Sequence, residues 1–260
     1  MIDHVQVAMT AAHEAGDAVM RHYGVAVDVS LKHDASPVTS ADVASHDVIR
    51  RILDETGLPV VSEEDRDSWG AKGTYWLVDP LDGTKEFIRH NGEFCINIAL
   101  VVDDVPSIGV IYAPALDELF VGADGVVSVT SNGRDSVLTP GARGHELRIV
   151  TSRSHPSPLV QAFIDANRIS HCVPMGSALK YMRLADGTAD IVPRFVGSSE
   201  WDTAAAQAIL KIIGGTVLDI YTGKPLTYGG MTRRNAWHIA VRHPYQFDEF
   251  TLPSITQDQP

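Results

Sequence analysis

Apolar and small side chains recur at Val5, Met9, Ala12, Gly16, Val19 and Tyr23, four and three residues apart, which places one helical stripe over residues 3–23. Asp3 can cap its start and Gly24 its end, while His4, His13 and His22 fall off the stripe and read as solvated surface. Asp28–Lys32 reads as a short strand or loop. Ala44, Val48 and Ile52, widened by Ile49 and Leu53, predict a second helix over Ser40–Glu55. Asp42 falls in its first turn, where an acid by itself only complements the helix dipole. The short apolar runs Leu58–Val61 and Tyr75–Val78 read as strands, and both end in acids: Ser62-Glu63-Glu64-Asp65 after the first, Asp79 after the second.

Cys95–Val102, Ile108–Tyr112, Glu118–Val121 and Val126–Thr130 are strand-length runs separated by turn residues, and they predict an antiparallel meander. Residues 131–145, rich in Gly, Ser and Pro, read as a connection. After it strands and helices alternate: strand Glu146–Thr151, helices Ser157–Asn167 and Ser177–Ala185, strand Asp190–Val192, helix Thr203–Ile213 stopped by Gly214-Gly215, strand Val217–Asp219. The pattern divides into an α+β half over residues 1–143, an α/β half over 144–243, and a loose tail over 244–260.

A hydrophobic content of 44% and a charged content of 21% are those of an ordinary globular protein, and no apolar run approaches the roughly 20 residues of a membrane helix. The N-terminus has neither the basic start nor the apolar core of a secretory signal, which points to the cytoplasm. Cys95 and Cys172 have no metal-site spacing and read as reduced core thiols. A net charge of −12 excludes a nucleic-acid polymer as partner, since that requires a basic stripe. It leaves a small anionic substrate open, because carboxylates that hold a divalent cation attract phosphate.

The candidate chemistry starts at Asp79. Asp79 and Asp82 flank Pro80-Leu81, and proline forces a rigid exit from the strand, so two carboxylates converge at its end. Gly83 permits a tight turn, and Thr84-Lys85-Glu86-Phe87 can open a helix whose first N–H groups are free for phosphate. Hard oxygen ligands for Mg²⁺ thus lie beside an anion-binding turn, although Asp-Pro-x-Asp-Gly is also an ordinary surface turn. Asp202 lies at or near the cap of the helix at Thr203; it is either a simple N-cap or the distant carboxylate that completes a cage begun by Glu63, Asp79 and Asp82. Arg153, Lys180 and Arg194 read singly as surface, together as clamps for a second phosphate.

The strings P-V-T-S-A-D, S-E-E-D, W-L-V-D-P-L-D-G-T-K-E-F, G-E-F-C-I-N-I-A-L, S-R-S-H, G-S-A-L-K and W-D-T-A-A resemble the Mg²⁺-dependent, lithium-sensitive phosphatase superfamily of inositol monophosphatase. K-E-F after D-G-T, with S-R-S-H and G-S-A-L-K, is similar within it to the bacterial CysQ type of 3′(2′),5′-bisphosphate nucleotidase. The resemblance implies a layered αβαβα sandwich of the inositol monophosphatase and sugar phosphatase type. It implies that Glu63, Asp79, Asp82, Asp202 and the carbonyl of Leu81 bind Mg²⁺, that Asp42 and Thr84 position and deprotonate the attacking water, and that Gly83 and Thr84 cradle the phosphate. Ser154, His155, Ser177, Lys180 and Arg194 match its nucleotide-contacting segments, and Lys180 is expected to meet the second phosphate. The implied substrate is 3′-phosphoadenosine 5′-phosphate, cleaved to AMP and phosphate in sulfate assimilation. The resemblance also allows a homodimer and a peripheral association with the inner membrane, with no integral membrane contact. The alternatives are a phosphatase of inositol phosphates or sugar phosphates, and a sensor of a phosphorylated metabolite without turnover.

Overall fold

The computed structural model describes residues 2–25, 29–31 and 37–254. The first half contains α1 (His4–His22), β1 (Val29–Leu31), β2 (Pro37–Thr39), α2 (Ser40–Leu53), β3 (Val60–Ser62), β4 (Thr74–Asp82), α3 (Thr84–Ile88), β5 (Cys95–Val102), β6 (Val105–Ala113), β7 (Glu118–Ala123), β8 (Val126–Ser131) and β9 (Arg134–Leu138). The second contains β10 (Arg148–Ser152), α4 (Pro158–Ala166), β11 (His171–Met175), α5 (Leu179–Ala185), β12 (Ile191–Arg194), α6 (Ala204–Ile212), β13 (Thr216–Asp219) and β14 (His238–Val241). β3 to β9 form a seven-stranded sheet in sequence order, antiparallel except for the parallel β3–β4 pair. The other large sheet runs β11-β10-β12-β14-β13, with β11, β10 and β12 parallel and β14 antiparallel to both of its neighbours.

Side chains alternate across each strand, and here the alternation assigns every residue to a layer. Trp76 and Val78 of β4 and Ile96, Ile98 and Leu100 of β5 face the α1–α2 pair, whereas Tyr75, Leu77, Ala99 and Val101 face inward onto α5 and α6. In the smaller sheet Val150, Val192, Val217 and Ala240 meet α5 and α6 from the other side. Ile149, Ile191, Leu218, Ile239 and Val241 point outward to Phe163 of α4. The result is the layered αβαβα sandwich, with the central strands of both large sheets buried on both faces and each buried Val, Leu, Ile or Phe contributing about 1.5–3 kcal/mol.

α6 can lie this close to the seven-stranded sheet because Gly109 and Gly122 face each other in register on β6 and β7. A Cβ on Gly109 would stand 2.2 Å from the Ala205 carbonyl, and one on Gly122 would stand 2.8 Å from Ile209 Cα. No helix among the described residues is long and apolar enough to cross a membrane.

Four sequence expectations differ from the structure. Part of the predicted connection over 131–145 is β9, an edge strand whose residues are mostly exposed, so backbone pairing to β8 holds it rather than an apolar face. The loose tail over 244–260 is packed as far as residue 254: Tyr245 is buried, and Phe247, Phe250 and Leu252 join the cluster around Phe163. Residues 255–260 lie outside the described residues, as do Asp28 and Lys32 of the predicted strand or loop. Cys95 is a buried thiol, but Cys172 is exposed on edge strand β11. His4 and His13 are not simply solvated, for their rings pack edge-on against Trp76 and Tyr112.

Candidate active site

β4 ends the way its proline dictates. Asp79 still pairs in register with Asn97, the register then shifts, and Asp82 is opposite Cys95. The Leu81 N–H turns back to Asp79 Oδ1 at 3.1 Å, and Ser45 Oγ on α2 donates to the Pro80 carbonyl at 2.6 Å. Gly83 follows at φ +93°, where a side chain would be strained and its Cβ would come within 2.9 Å of the Glu93 carbonyl. The 3₁₀ turn Glu200–Asp202, just ahead of α6, brings Asp202 to the same place from the second half of the chain. Asp79, Asp82 and Asp202 each present a carboxylate oxygen, and these oxygens lie within 4.8 Å of one another.

Asp82 and Asp202 are held in place by N–H donors. Asp82 Oδ2 accepts from the Ala178 N–H at 2.6 Å and from Asn97 Nδ2 at 3.1 Å. Asp202 Oδ2 accepts from the Ser199 N–H at 2.8 Å. Burial raises the Asp82 pKa, against the opposing charge of Lys180. Burial, then repulsion from Asp82 and Glu63, pushes Asp202 up to about 7. Converging oxygens that repel one another in this way fit a hard divalent cation, whose charge would relieve the repulsion. Glu63 lines the same cavity but is not one of the three whose oxygens approach this closely. The Leu81 carbonyl accepts from Thr84 Oγ1 at 3.3 Å.

Asp42 serves the helix cap and also reaches Thr84. Its Oδ2 accepts from the N–H and the hydroxyl of Thr39, each at 2.7 Å, completing the cap of α2. Its Oδ1 accepts from Thr84 Oγ1 at 3.1 Å, which links the start of α2 to the start of α3.

The carboxylates line a cavity of about 690 Å³. Lys85, His155, Lys180, Arg194 and Arg234 line the same cavity, as do Gly83, Thr84, Ser154 and Ser177. Burial and the charges of Arg194, Lys85, Lys180 and Arg89 drive His155 down to about 4, so its Nε2 accepts from Lys85 Nζ at 3.1 Å. Ser154 Oγ accepts from Arg89 at 2.8 Å and donates to the buried Glu86. Ser177 holds a left-handed backbone, φ +47°, immediately before the Ala178 N–H that binds Asp82. Lys180 is only 7% exposed, with its ammonium on the Ser177 carbonyl, and burial lowers its pKa while Asp82 opposes the shift. Its charge therefore acts first on the carboxylates. Arg194 is less buried and donates to the Gly197 carbonyl at 3.2 Å. Arg153 is not in the cavity wall: two bonds of 2.6 Å commit it to Glu93 and a third, of 2.7 Å, to the Pro174 carbonyl.

Sequence reasoning missed Lys85 and Arg234 as parts of the basic lining, and Asn97 as a donor to Asp82. Lys85 was signalled by its place after Gly83-Thr84, whereas Arg234 sits in M-T-R-R-N, where nothing marks it.

An acidic triad and a set of basic side chains lining one cavity of this size are the constellation of a metal-assisted phosphate hydrolase. The chain belongs to the inositol monophosphatase family, whose model matches residues 2–257. It is 41% identical over 225 residues to the 3′(2′),5′-bisphosphate nucleotidase CysQ of Escherichia coli K12, covering 84% of this chain and 90% of that one. The protein of the same description from Buchnera aphidicola is 37% identical over 233 residues, 85% and 86% of the two chains. Among solved structures, CysQ from Bacteroides thetaiotaomicron superposes with a TM-score of 0.79 at 34% identity, covering 93% of this chain and 97% of that one.

Proposed function

We propose that this protein is a Mg²⁺-dependent 3′(2′),5′-bisphosphate nucleotidase that hydrolyses 3′-phosphoadenosine 5′-phosphate to AMP and phosphate, as part of sulfate assimilation. The observation that carries the reading is the convergence of Asp79, Asp82 and Asp202 in a cavity that Lys85, Lys180, Arg194 and Arg234 also line. The identity to CysQ supports the choice of substrate within the family.

Asp79, Asp82 and Asp202, with Glu63 and the Leu81 carbonyl at the cavity edge, would hold the metal. When bound, Mg²⁺ supplies Lewis-acid chemistry, activating the attacking water and offsetting charge on the phosphoryl and leaving oxygens. The chain's own residues do the rest. Asp42 Oδ1 keeps the Thr84 hydroxyl directed, so that Thr84 can orient the water and Asp42 can take up its proton. The turn at Gly83 and Thr84 lines the cavity, where it would cradle the transferred phosphate. Ser154, His155, Ser177 and Arg194 also line the cavity, and they would contact the nucleotide and its second phosphate. Lys180 balances Asp82 from within.

The test is phosphate release from a panel of bisphosphate nucleotides, inositol phosphates and sugar phosphates, each with and without Mg²⁺. The adenosine bisphosphate is expected to give the highest kcat/KM, and only with metal. A preference for inositol 1-phosphate or a sugar phosphate would move the chain to another activity of its family. Binding without turnover of any of them would make it a sensor.

A further inference from the structure

The carboxylates come from three segments that are far apart in sequence: the loop after β3 that follows Glu63, strand β4 with Asp79 and Asp82, and the turn that carries Asp202. One side chain outside the cavity touches all three. Arg233 is 0% exposed and its partner Glu200 2%. Arg233 Nη1 donates to Tyr75 Oη on β4 and to Glu200 Oε2, both at 3.0 Å. Its Nε and Nη2 donate to the Trp69 carbonyl at 2.9 and 2.6 Å, and Nη2 also to the Ala71 carbonyl at 2.7 Å. All five guanidinium N–H donors are thereby used.

The backbone closes the same junction. The Glu200 N–H donates to the Arg233 carbonyl at 2.8 Å, and the Glu200 carboxylate also accepts from the N–H groups of Gly229 and Gly230. Arg233 sits at φ +52°, an unfavourable conformation for a residue with a long side chain, which persists only where the surroundings over-determine it. A buried ion pair contributes little net stability once desolvation is counted, so stability alone is a weak reason to build one here.

We infer that Arg233, with Glu200, is a positioning residue for the carboxylate site: it fixes the Asp202 turn and the loop after Glu63 against β4, and so sets the spacing of the oxygens that receive the metal. The inference rests on the reading of those carboxylates as metal ligands. Neither residue lines the cavity, so neither reaches substrate. Lysine keeps the charge of arginine but has three donors on one atom, and it cannot serve Tyr75, Glu200, Trp69 and Ala71 together.

The experiment is a calorimetric Mn²⁺ titration of the full chain as wild type, Arg233→Lys and Glu200→Gln, well below each melting temperature. Phe163→Leu, in the outer layer, serves as a destabilised control. Arg233→Lys and Glu200→Gln are expected to raise the Mn²⁺ dissociation constant by about tenfold or more, the usual scale for groups that orient metal ligands, while the control leaves it unchanged. A folded Arg233→Lys protein that binds Mn²⁺ within about twofold of wild type overturns the inference and leaves the pair a structural brace. Should Arg233→Lys not fold, the isosteric Glu200→Gln decides by the same two outcomes. Wild type that binds neither Mn²⁺ nor Mg²⁺ would instead overturn the metal reading itself.

Discussion

At Asp42 a single carboxylate divides its work between folding and chemistry, Oδ2 capping α2 through Thr39 and Oδ1 holding the Thr84 hydroxyl. Asn can retain the cap through its remaining oxygen but cannot take a proton from water. Asp42→Asn is therefore expected to lower kcat by about a hundredfold or more with little change in melting temperature, read by steady-state kinetics beside a thermal melt. A kcat near wild type would leave Asp42 as a cap alone. Burial also reassigns the expectation for Lys180. Because its ammonium is turned to Ser177 and Asp82, Lys180→Ala is expected to reduce turnover of bisphosphate and monophosphate substrates alike. Arg194→Ala should instead reduce kcat/KM for the bisphosphate by roughly ten- to a hundredfold, the scale of one charge-assisted hydrogen bond, and spare a monophosphate. Kinetics of both variants on both substrates separates these roles, and a selective loss in Lys180→Ala would return the second phosphate to Lys180.

Among the elements, α6 is the one whose placement the site depends on most, since it begins two residues after Asp202. Its approach to the sheet requires the bare backbone at Gly109. Gly109→Ala is expected to cost about 1–3 kcal/mol by overpacking, measured by chemical denaturation, and to weaken metal binding as the start of α6 shifts. Elements buried on a regular face were legible in the chain: α2 from its stripe, the meander from its apolar runs, β4 from Tyr75–Val78. Those whose stability comes from pairing or context were not. β9 is mostly exposed, so its ladder to β8 defines it, and β11 is an exposed edge strand carrying Pro174. β14, H-I-A-V, is too short for periodicity to show, although all four residues are buried. The ends of β4 and of the Asp202 turn were readable because proline and capping chemistry are local. The Arg233 junction was not, because its partners lie more than a hundred residues away in Trp69, Ala71 and Tyr75.

For the whole molecule, both large sheets press on α5 and α6, and β14 turns a neutral histidine toward α5. His238 Nδ1 donates to the Ala236 carbonyl at 3.0 Å, so Nε2 accepts from Tyr181 Oη at 2.8 Å. Burial, with Arg194 and Lys180 nearby and the Ala236 carbonyl opposing, pushes His238 down to about 3. An unfolded chain takes up that proton near pH 6.5, so between these values the unfolded state binds more protons than the folded one. Stability from this group is complete above pH 6.5 and is lost as the pH falls toward 3. His238→Gln, which can keep both hydrogen bonds, is expected to flatten that part of the acid limb in melts taken across pH; an unchanged limb would assign it to other groups.

The joining of the two halves into one site meets its most direct test in hydrolysis of 3′-phosphoadenosine 5′-phosphate, followed by phosphate release after exhaustive EDTA treatment and again after Mg²⁺ is restored. Turnover should fall to background on chelation and return with Mg²⁺ in the wild type, with Asp202→Asn needing far more metal for what activity it retains. Undiminished turnover without metal, or an Asp202→Asn enzyme with wild-type Mg²⁺ dependence, would contradict the assignment of Asp79, Asp82 and Asp202 as a shared metal site.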